Sequence, residues 1–458
     1  MPTDVRHLID LVPEDVLGIC RRLSEKGKRG WIVGGCVRDL LRGRPAKDWD
    51  VCTDARPEEV VSFFRKVIPT GIQHGTVTVV VRGAHYEVTT LRGEGAYSDG
   101  RRPDKVEFVD DITADLARRD FTFNAMAIDP IDGHLIDPFG GEQDLEARVL
   151  RAVGDAAERF FEDGLRVLRA ARFSATLECS IAPETERAMG APRSLDTFRR
   201  VSAERVRDEW MKAMTAKRPS VAFEAMRRTT ILDITCPELT ATIGVEPGEG
   251  PDDDVYHRAL ACLDVCKAEP ILRVAALLHD VGKSRARAAA EPRPSAALPD
   301  HARLGAEMAE AILTRLKLSN DERARVAALI RHHVIGYSSS WTDAAVRRWI
   351  RRITPELAPD LHELGFAVAR SQGGDPGAAI AAVEELRERV TVLLAAGAAL
   401  STRDLALNGR DLMTTLDLKP SRIIGETLEH LLELVTDDPS LNEREKLLAA
   451  ARARLKGD

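Results

Sequence analysis

A chain of 458 residues with 44% hydrophobic and 30% charged side chains has room for roughly two to four compact units and the balance of a water-soluble protein. Its net charge of −7 excludes a global basic field, so any contact with nucleic acid has to rest on local patches. No apolar stretch approaches the ~18 residues of a membrane span, no signal-like segment opens the chain, and the seven cysteines, odd in number and without paired C-x-x-C spacing, read as reduced thiols of a cytoplasmic protein.

The first strong pattern is the apolar run Trp31-Ile32-Val33, followed by Gly34-Gly35-Cys36-Val37-Arg38-Asp39, a helical repeat at Val37, Leu40 and Leu41, a turn at Gly43–Pro45, and Asp48-Trp49-Asp50-Val51-Cys52. On a strand, alternation puts Asp48 and Asp50 on one face with their carboxylates close together. Two like charges that close call for a divalent cation, and a Gly pair lets backbone N–H groups approach an anion. Metal beside polyphosphate points to nucleotidyl or phosphoryl transfer. A lone Asp-x-Asp is usually a solvated turn, and it is the order and spacing of the two features that carry the signal.

A helix is predicted over 57–66, then an antiparallel hairpin of Thr76–Val81 and Tyr86–Thr90 about a Gly83 turn. Glu87 on that hairpin is the candidate third carboxylate, with Asp104 and Asp110 as alternatives. Gly95 to Asp104 has the composition of a mobile loop. Next come Arg118-Arg119-Asp120-Phe121-Thr122-Phe123-Asn124-Ala125 and a turn at Asp137-Pro138-Phe139-Gly140-Gly141. Past about 150 the strand signals fade and 3.6-residue periodicity takes over. In Glu162-Asp163-Gly164-Leu165-Arg166-Val167-Leu168-Arg169-Ala170-Ala171-Arg172-Phe173, Asp163 and Arg166 share a helix face, and Arg169 and Arg172 continue the stripe. A carboxylate accepts and a guanidinium donates. Together they match the amino donor and ring acceptor that cytosine and adenine both present, and mismatch guanine and uracil. Pro247 to Asp254 is the clearest domain boundary, Glu291 to Pro299 reads as an exposed loop, and a further break falls near Gly373–Gly377.

Gly-Gly-x-Val-Arg-Asp followed by Asp-x-Asp resembles the active-site motif of the DNA polymerase β-like nucleotidyltransferases, in the branch of bacterial tRNA nucleotidyltransferases and poly(A) polymerases. The Arg118–Ala125 segment is similar to that family's second motif, and Glu162–Arg166 to the class II Glu-Asp-x-x-Arg motif in which the protein reads the base. The resemblance implies an α+β fold: a polymerase β-like head over 1–150, a helical neck over 151–246, an HD-like body over 252–372 and a C-terminal tRNA-binding region over 373–458. It implies Asp48, Asp50 and Glu87 as catalytic, with Asp48 and Asp50 holding Mg²⁺ in a two-metal site. Gly35, Arg38, Arg119, Asp163, Arg166, Arg169 and Arg172 would bind the nucleotide, and Asp120 and Asn124 would shape its pocket. The expected reaction is template-independent addition or repair of the 3′ CCA of tRNA from CTP and ATP, without a membrane partner. An A-adding enzyme or a poly(A) polymerase is the alternative, and the 95–104 loop resembles one that terminal-A-adding members keep.

In the second half His257, His279-Asp280, His301 and His332-His333 recur. His279-Asp280 resembles the HD phosphohydrolases, in which a His, the His-Asp pair and a late Asp bind a divalent metal. That implies His257, His279 and Asp280 as ligands to an ion such as Mn²⁺ or Ni²⁺, and a metal-dependent phosphohydrolase as the alternative of another class. The late Asp is missing, since its place falls in Ala367-Val368-Ala369-Arg370. Asp343 and Asp375 are the substitutes available, and the expected hydrolysis is weak or absent.

Overall fold

The computed structural model describes residues 3–93, 107–246, 254–290, 300–373 and 375–456. The loop from Gly95 to Asp104, and with it Asp104, lies outside them, as do nearly all of the 247–254 and 291–299 segments. The chain divides into two compact units, Met1–Pro237 and Glu238–Asp458.

The first unit is the α+β half. Eight of its strands are β1 (Thr3–Asp4), β2 (Gly30–Val33), β3 (Asp50–Thr53), β4 (Val67–Gly71), β5 (Thr76–Val81), β6 (Ala84–Thr90), β7 (Ala127–Asp129) and β8 (His134–Ile136). They form one sheet in the order β1-β8-β7-β2-β3-β6-β5-β4. The β-branched runs at 76–81 and 86–90 make the antiparallel hairpin expected of them. Every residue of β2 is buried, so both faces of the sheet centre are covered and its near-continuous apolar run is explained. One face meets α1 (Glu14–Glu25), which buries Val16, Ile19, Cys20 and Leu23. The other carries Trp31, Val33 and Cys52 into a core closed by Leu91, Ile112 and Leu116.

Strand β3 begins at Asp50, and Asp48 lies in the connecting segment before it. The expected alternation of the two along a strand is thereby corrected. The partner strand β2 ends at Val33, which pairs with Asp50, and the pairing of β3 with β6 likewise starts at Asp50 and Glu87, so Asp48 has no ladder partner on either side. A second correction concerns the helix expected to carry both Asp163 and Arg166. The chain breaks there between Ala156–Glu162 and Leu165–Thr176, with Asp163 extended at φ −142° and ψ 105°. Its Oδ1 accepts the Leu165 N–H at 3.0 Å, a capping role that Asp fills well.

Among its described residues the second unit has helices and no strand. Pro270–Leu278 is buried on all sides from Ile271 onward, as a central helix must be. Val255–Val265, His301–Arg315 and Asn320–His332 accompany it. Farther on, Arg347 of Asp343–Ile353 donates from Nε to the Thr436 carbonyl at 2.7 Å. That caps the C-terminal end of Arg422–Asp437, where a cation suits the helix dipole. Among the described residues no helix is long and apolar enough to cross a membrane.

Candidate active site

In the first unit, helices α2 (Gly35–Leu41), α3 (Ile112–Ala117), α4 (Ala156–Glu162), α5 (Leu165–Thr176) and α6 (Ala203–Ala213) gather around the end of the Trp31/Val33/Cys52 sheet face. A cavity of about 470 Å³ opens there, a size suited to a nucleotide. Strands β3 and β6 run parallel with Asp50 directly opposite Glu87, which puts both carboxylates on one face and into the cavity. The Asp50 carboxyl is raised above its ordinary value, first by loss of water, then by the charge of Glu87, with Asp48 adding to it. Hard oxygen donors that repel one another in this way fit a divalent cation. Asp110, the alternative third carboxylate, is turned to Arg56 at 3.2 Å and does not line the cavity.

Gly34, immediately before α2, sits at φ +81° and ψ −131°, a conformation that only glycine adopts without strain. A Cβ there would stand 2.8 Å from Nη1 of Arg119. Arg119 is otherwise held by Asp115 at 3.3 Å and Cys52 Sγ at 3.6 Å, and its buried Nε has no partner. Gly34→Ala should therefore cost roughly 1–3 kcal/mol of backbone strain and displace Arg119 into the cavity. Thermal unfolding and nucleotide binding measured together check this, and a variant that binds ATP as tightly as the wild type contradicts it.

Across the cavity a chain of side chains begins at Arg38, whose Nη1 donates to Asn124 Oδ1 at 2.7 Å. Asn124 Nδ2 donates to Asp120 at 3.0 Å, and Asp120 Oδ2 accepts Arg169 Nε and Nη2 at 2.9 and 2.7 Å. Burial pushes the Asp120 carboxyl up, but Arg169 and Asn124 prevail and hold it at about 2. Arg169 and Arg172 both reach Glu209, Arg172 at 2.5 Å, and the Arg172 guanidinium lies 3.5 Å over the Phe173 ring. Phe173 also lies beneath Arg38 and Arg169, so one ring supports three guanidiniums.

Of the predicted nucleotide-binding residues, Gly35, Arg38, Arg119, Asp163, Arg166 and Arg169 line the cavity. Arg172 does not, because Glu209 draws it inward. Asp163 and Arg166 reach the cavity from separate supports. Arg166 Nη1 donates to Glu162 at 2.7 Å and to the Arg159 carbonyl at 3.0 Å, and its Nη2 to the Arg118 carbonyl at 2.7 Å. Both oxygens of Asp163 accept from Arg205. Sequence reasoning does not assign Glu209, Arg205 or Phe173 to the site. The available signal is the four-residue spacing of Arg205 and Glu209, which puts both on one face of α6.

In the second unit, Asp280, His301 and His333 bring ligand atoms within 4.8 Å of one another. Nε2 of His301 and of His333 lie 3.7 and 3.5 Å from Asp280 Oδ1. His333 Nδ1 faces the Ile330 carbonyl at 2.7 Å, which fixes that nitrogen as the donor and leaves Nε2 as the ligand. The expected set is corrected at His257, which is exposed and pairs with Asp254 at 2.7 Å. Its neighbours explain this: Asp254 caps the helix on which His257 sits. His279 stays beside the group, with Nε2 3.2 Å from Asp280 Oδ2. Asp343 and Asp375 do not supply the missing carboxylate, being turned to Arg389 and to the Gly377 N–H. Close packing makes the cluster, since a Cβ on Gly282 would stand 2.1 Å from the His301 carbonyl oxygen.

The Poly A polymerase head domain family matches residues 30–151, the RNA and SrmB-binding site of polymerase A matches 179–243, and tRNA nucleotidyltransferase domain 2 matches 295–451. The CCA-adding enzyme of Limosilactobacillus fermentum is 32% identical over 449 residues, 96% of either chain. That of Lactobacillus delbrueckii subsp. bulgaricus is 42% identical over 264 residues, 56% of this chain and 66% of that enzyme. In its matches to the first such relatives the chain spans about half to two thirds of their length. The crystal structure of the Bacillus stearothermophilus CCA-adding enzyme in complex with CTP is 28% identical with a TM-score of 0.72, over 97% of this chain and 98% of that one. With the head-domain match falling on the strands that bear Asp50 and Glu87, and with a relative aligned along nearly its whole length, the chain belongs to the CCA-adding enzyme family, the class II tRNA nucleotidyltransferases that share a head domain with poly(A) polymerase.

Proposed function

We propose that the protein adds or repairs the 3′-terminal CCA of tRNA, transferring CMP and then AMP from CTP and ATP without a nucleic-acid template. The observation that carries this is one cavity lined by Asp50 and Glu87 together with Asp163 and Arg166, with Arg38, Arg119 and Arg169 on its walls. A hydroxyl oxygen of the RNA 3′ end forms a bond to the α-phosphorus, and pyrophosphate leaves. Asp48, Asp50 and Glu87 would hold the divalent metal that family membership calls for. Mg²⁺ held there would supply charge neutralisation of the triphosphate and a lowered pKa for the attacking hydroxyl. The arginines orient the triphosphate, Asp163 accepts the amino group of the base, and Arg166 donates to the ring nitrogen beside it. A cytoplasmic location accords with tRNA as the substrate.

Purified protein incubated with each NTP and with tRNA ending at the discriminator base tests this reading. The expected result is three added nucleotides, one on tRNA already ending in CC, and little on unstructured RNA. Long A tracts on generic RNA would instead identify a poly(A) polymerase, and refusal of CTP would identify an A-adding specialist.

The Asp280, His301 and His333 group supports a second reading for the helical unit, a site for Mn²⁺ or Ni²⁺. Titration with either ion should give saturable binding that Asp280→Ala abolishes. Hydrolysis of a 2′,3′-cyclic phosphate should stay weak, because the group holds a single carboxylate. Identical metal uptake by wild type and Asp280→Ala refutes the site, and strong metal-dependent hydrolysis refutes the expected weakness.

A further inference from the structure

Arg205 does not line the cavity, yet it holds the carboxylate on which base choice turns. Its Nη1 donates to Asp163 Oδ1 at 3.1 Å and its Nη2 to Oδ2 at 2.7 Å, the two-pronged geometry that fixes the plane of a carboxylate. The Leu165 N–H also donates to Oδ1 at 3.0 Å. With two acceptor positions on each oxygen, Oδ1 is saturated and Oδ2 keeps one lone pair. The pair is largely withdrawn from solvent, with side-chain exposures of 25% and 19%, so it is not an ordinary surface ion pair. One turn on, the same helix places Glu209, 2% exposed, against Arg169 and Arg172.

We propose that Arg205 is a positioning residue that sets base selectivity, by leaving Asp163 a single, fixed acceptor. This rests on the reading of the cavity as a template-independent nucleotide site. A single acceptor takes one N–H of the cytosine or adenine amino group, while the carbonyl oxygen that uracil and guanine put there meets a lone pair. Arg166 completes the match, since Nε–H and its second Nη2–H are not engaged by Glu162 or by the two carbonyls. Those donors remain available to the ring nitrogen that is an acceptor in cytosine and adenine and an N–H in uracil and guanine. Without Arg205 the carboxylate can turn, and its fit to the amino group is lost.

The test is equilibrium binding of CTP, ATP, UTP and GTP to the full chain, with incorporation of each on tRNA lacking CCA. For Arg205→Met the CTP-over-UTP preference should fall by about tenfold or more, the loss of one base-reading hydrogen bond. Arg205→Lys keeps the charge without the fork, should fold normally, and should lose about threefold on the same scale. A role confined to holding α6 in place would slow all four nucleotides alike and leave the ratio unchanged. Folded variants with the wild-type ratio overturn the proposal, and if the Met variant does not fold, a wild-type ratio in the Lys variant overturns it. A wild type that binds all four triphosphates alike removes the base-reading site itself, and this inference with it.

Discussion

Asp50→Asn is expected to remove nucleotide addition, by on the order of a thousandfold, while leaving the unfolding temperature unchanged or higher. The two halves have one cause. Asp50 is the first residue of β3, opposite Glu87, and its carboxyl is raised first by desolvation, then by Glu87, with Asp48 contributing. For an acid, a folded value above the unfolded one means that the charged form is disfavoured by the fold. In metal-free protein the ionised group therefore subtracts stability as pH rises past the ordinary carboxylate range. Asn keeps the shape and removes the repulsion, and with it a ligand the metal needs. Addition assays with Mg²⁺ and thermal unfolding in a chelator at neutral pH separate the two. A folded variant with wild-type addition ends the assignment of Asp50, and a marked loss of stability ends the account of its strained charge.

The parts of the site visible in the sequence are those whose signal is local. Trp31 to Asp50 declares itself through an apolar run, a Gly pair and an acidic pair within a few turns of chain. The 76–90 hairpin does so through β-branched residues on either side of a turn. What cannot be read there is where each charged side chain finds its partner. Asp163 and Arg166 resemble a pair because they stand three apart, yet Asp163 is held by Arg205 and Arg166 by Glu162 and carbonyl groups. Arg205 and Glu209 lie on another helix, and only the folded contact of α6 with α5 joins them to the base-reading turn. The second unit repeats the lesson. His301 and His333 stand out only as recurring histidines, and the HD ligand pattern favours His257, but packing at Gly282 brings His301 to Asp280 instead.

Asp120→Ala should be the most destabilising single change in the cavity wall, at about 3 kcal/mol, the cost of leaving one member of a buried ion pair alone. Of its ion pairs Arg169 keeps the longer one to Glu209 at 3.6 Å, and Asn124 loses the acceptor that orients it toward Arg38. Two nucleotide-facing guanidiniums are thereby released at once, so triphosphate binding should fall with stability. The pH dependence has a definite sign. The folded value of about 2 lies below the ordinary 3.8, so the carboxylate contributes stability above the unfolded value and loses it as pH falls toward 2. That contribution is about 2 kcal/mol. Asp120→Asn preserves the shape and one acceptor, and should lose less at neutral pH than the Ala variant does. Below pH 4 the wild type should approach the Asn variant, because the unfolded carboxylate takes up a proton there while the folded one keeps its charge until near pH 2. Urea unfolding of the three proteins at pH 7 and at pH 3 checks the expectation. Equal stability of wild type and Asp120→Ala at pH 7, or a gap to Asp120→Asn that widens in acid, would place the support of Arg169 elsewhere in the fold.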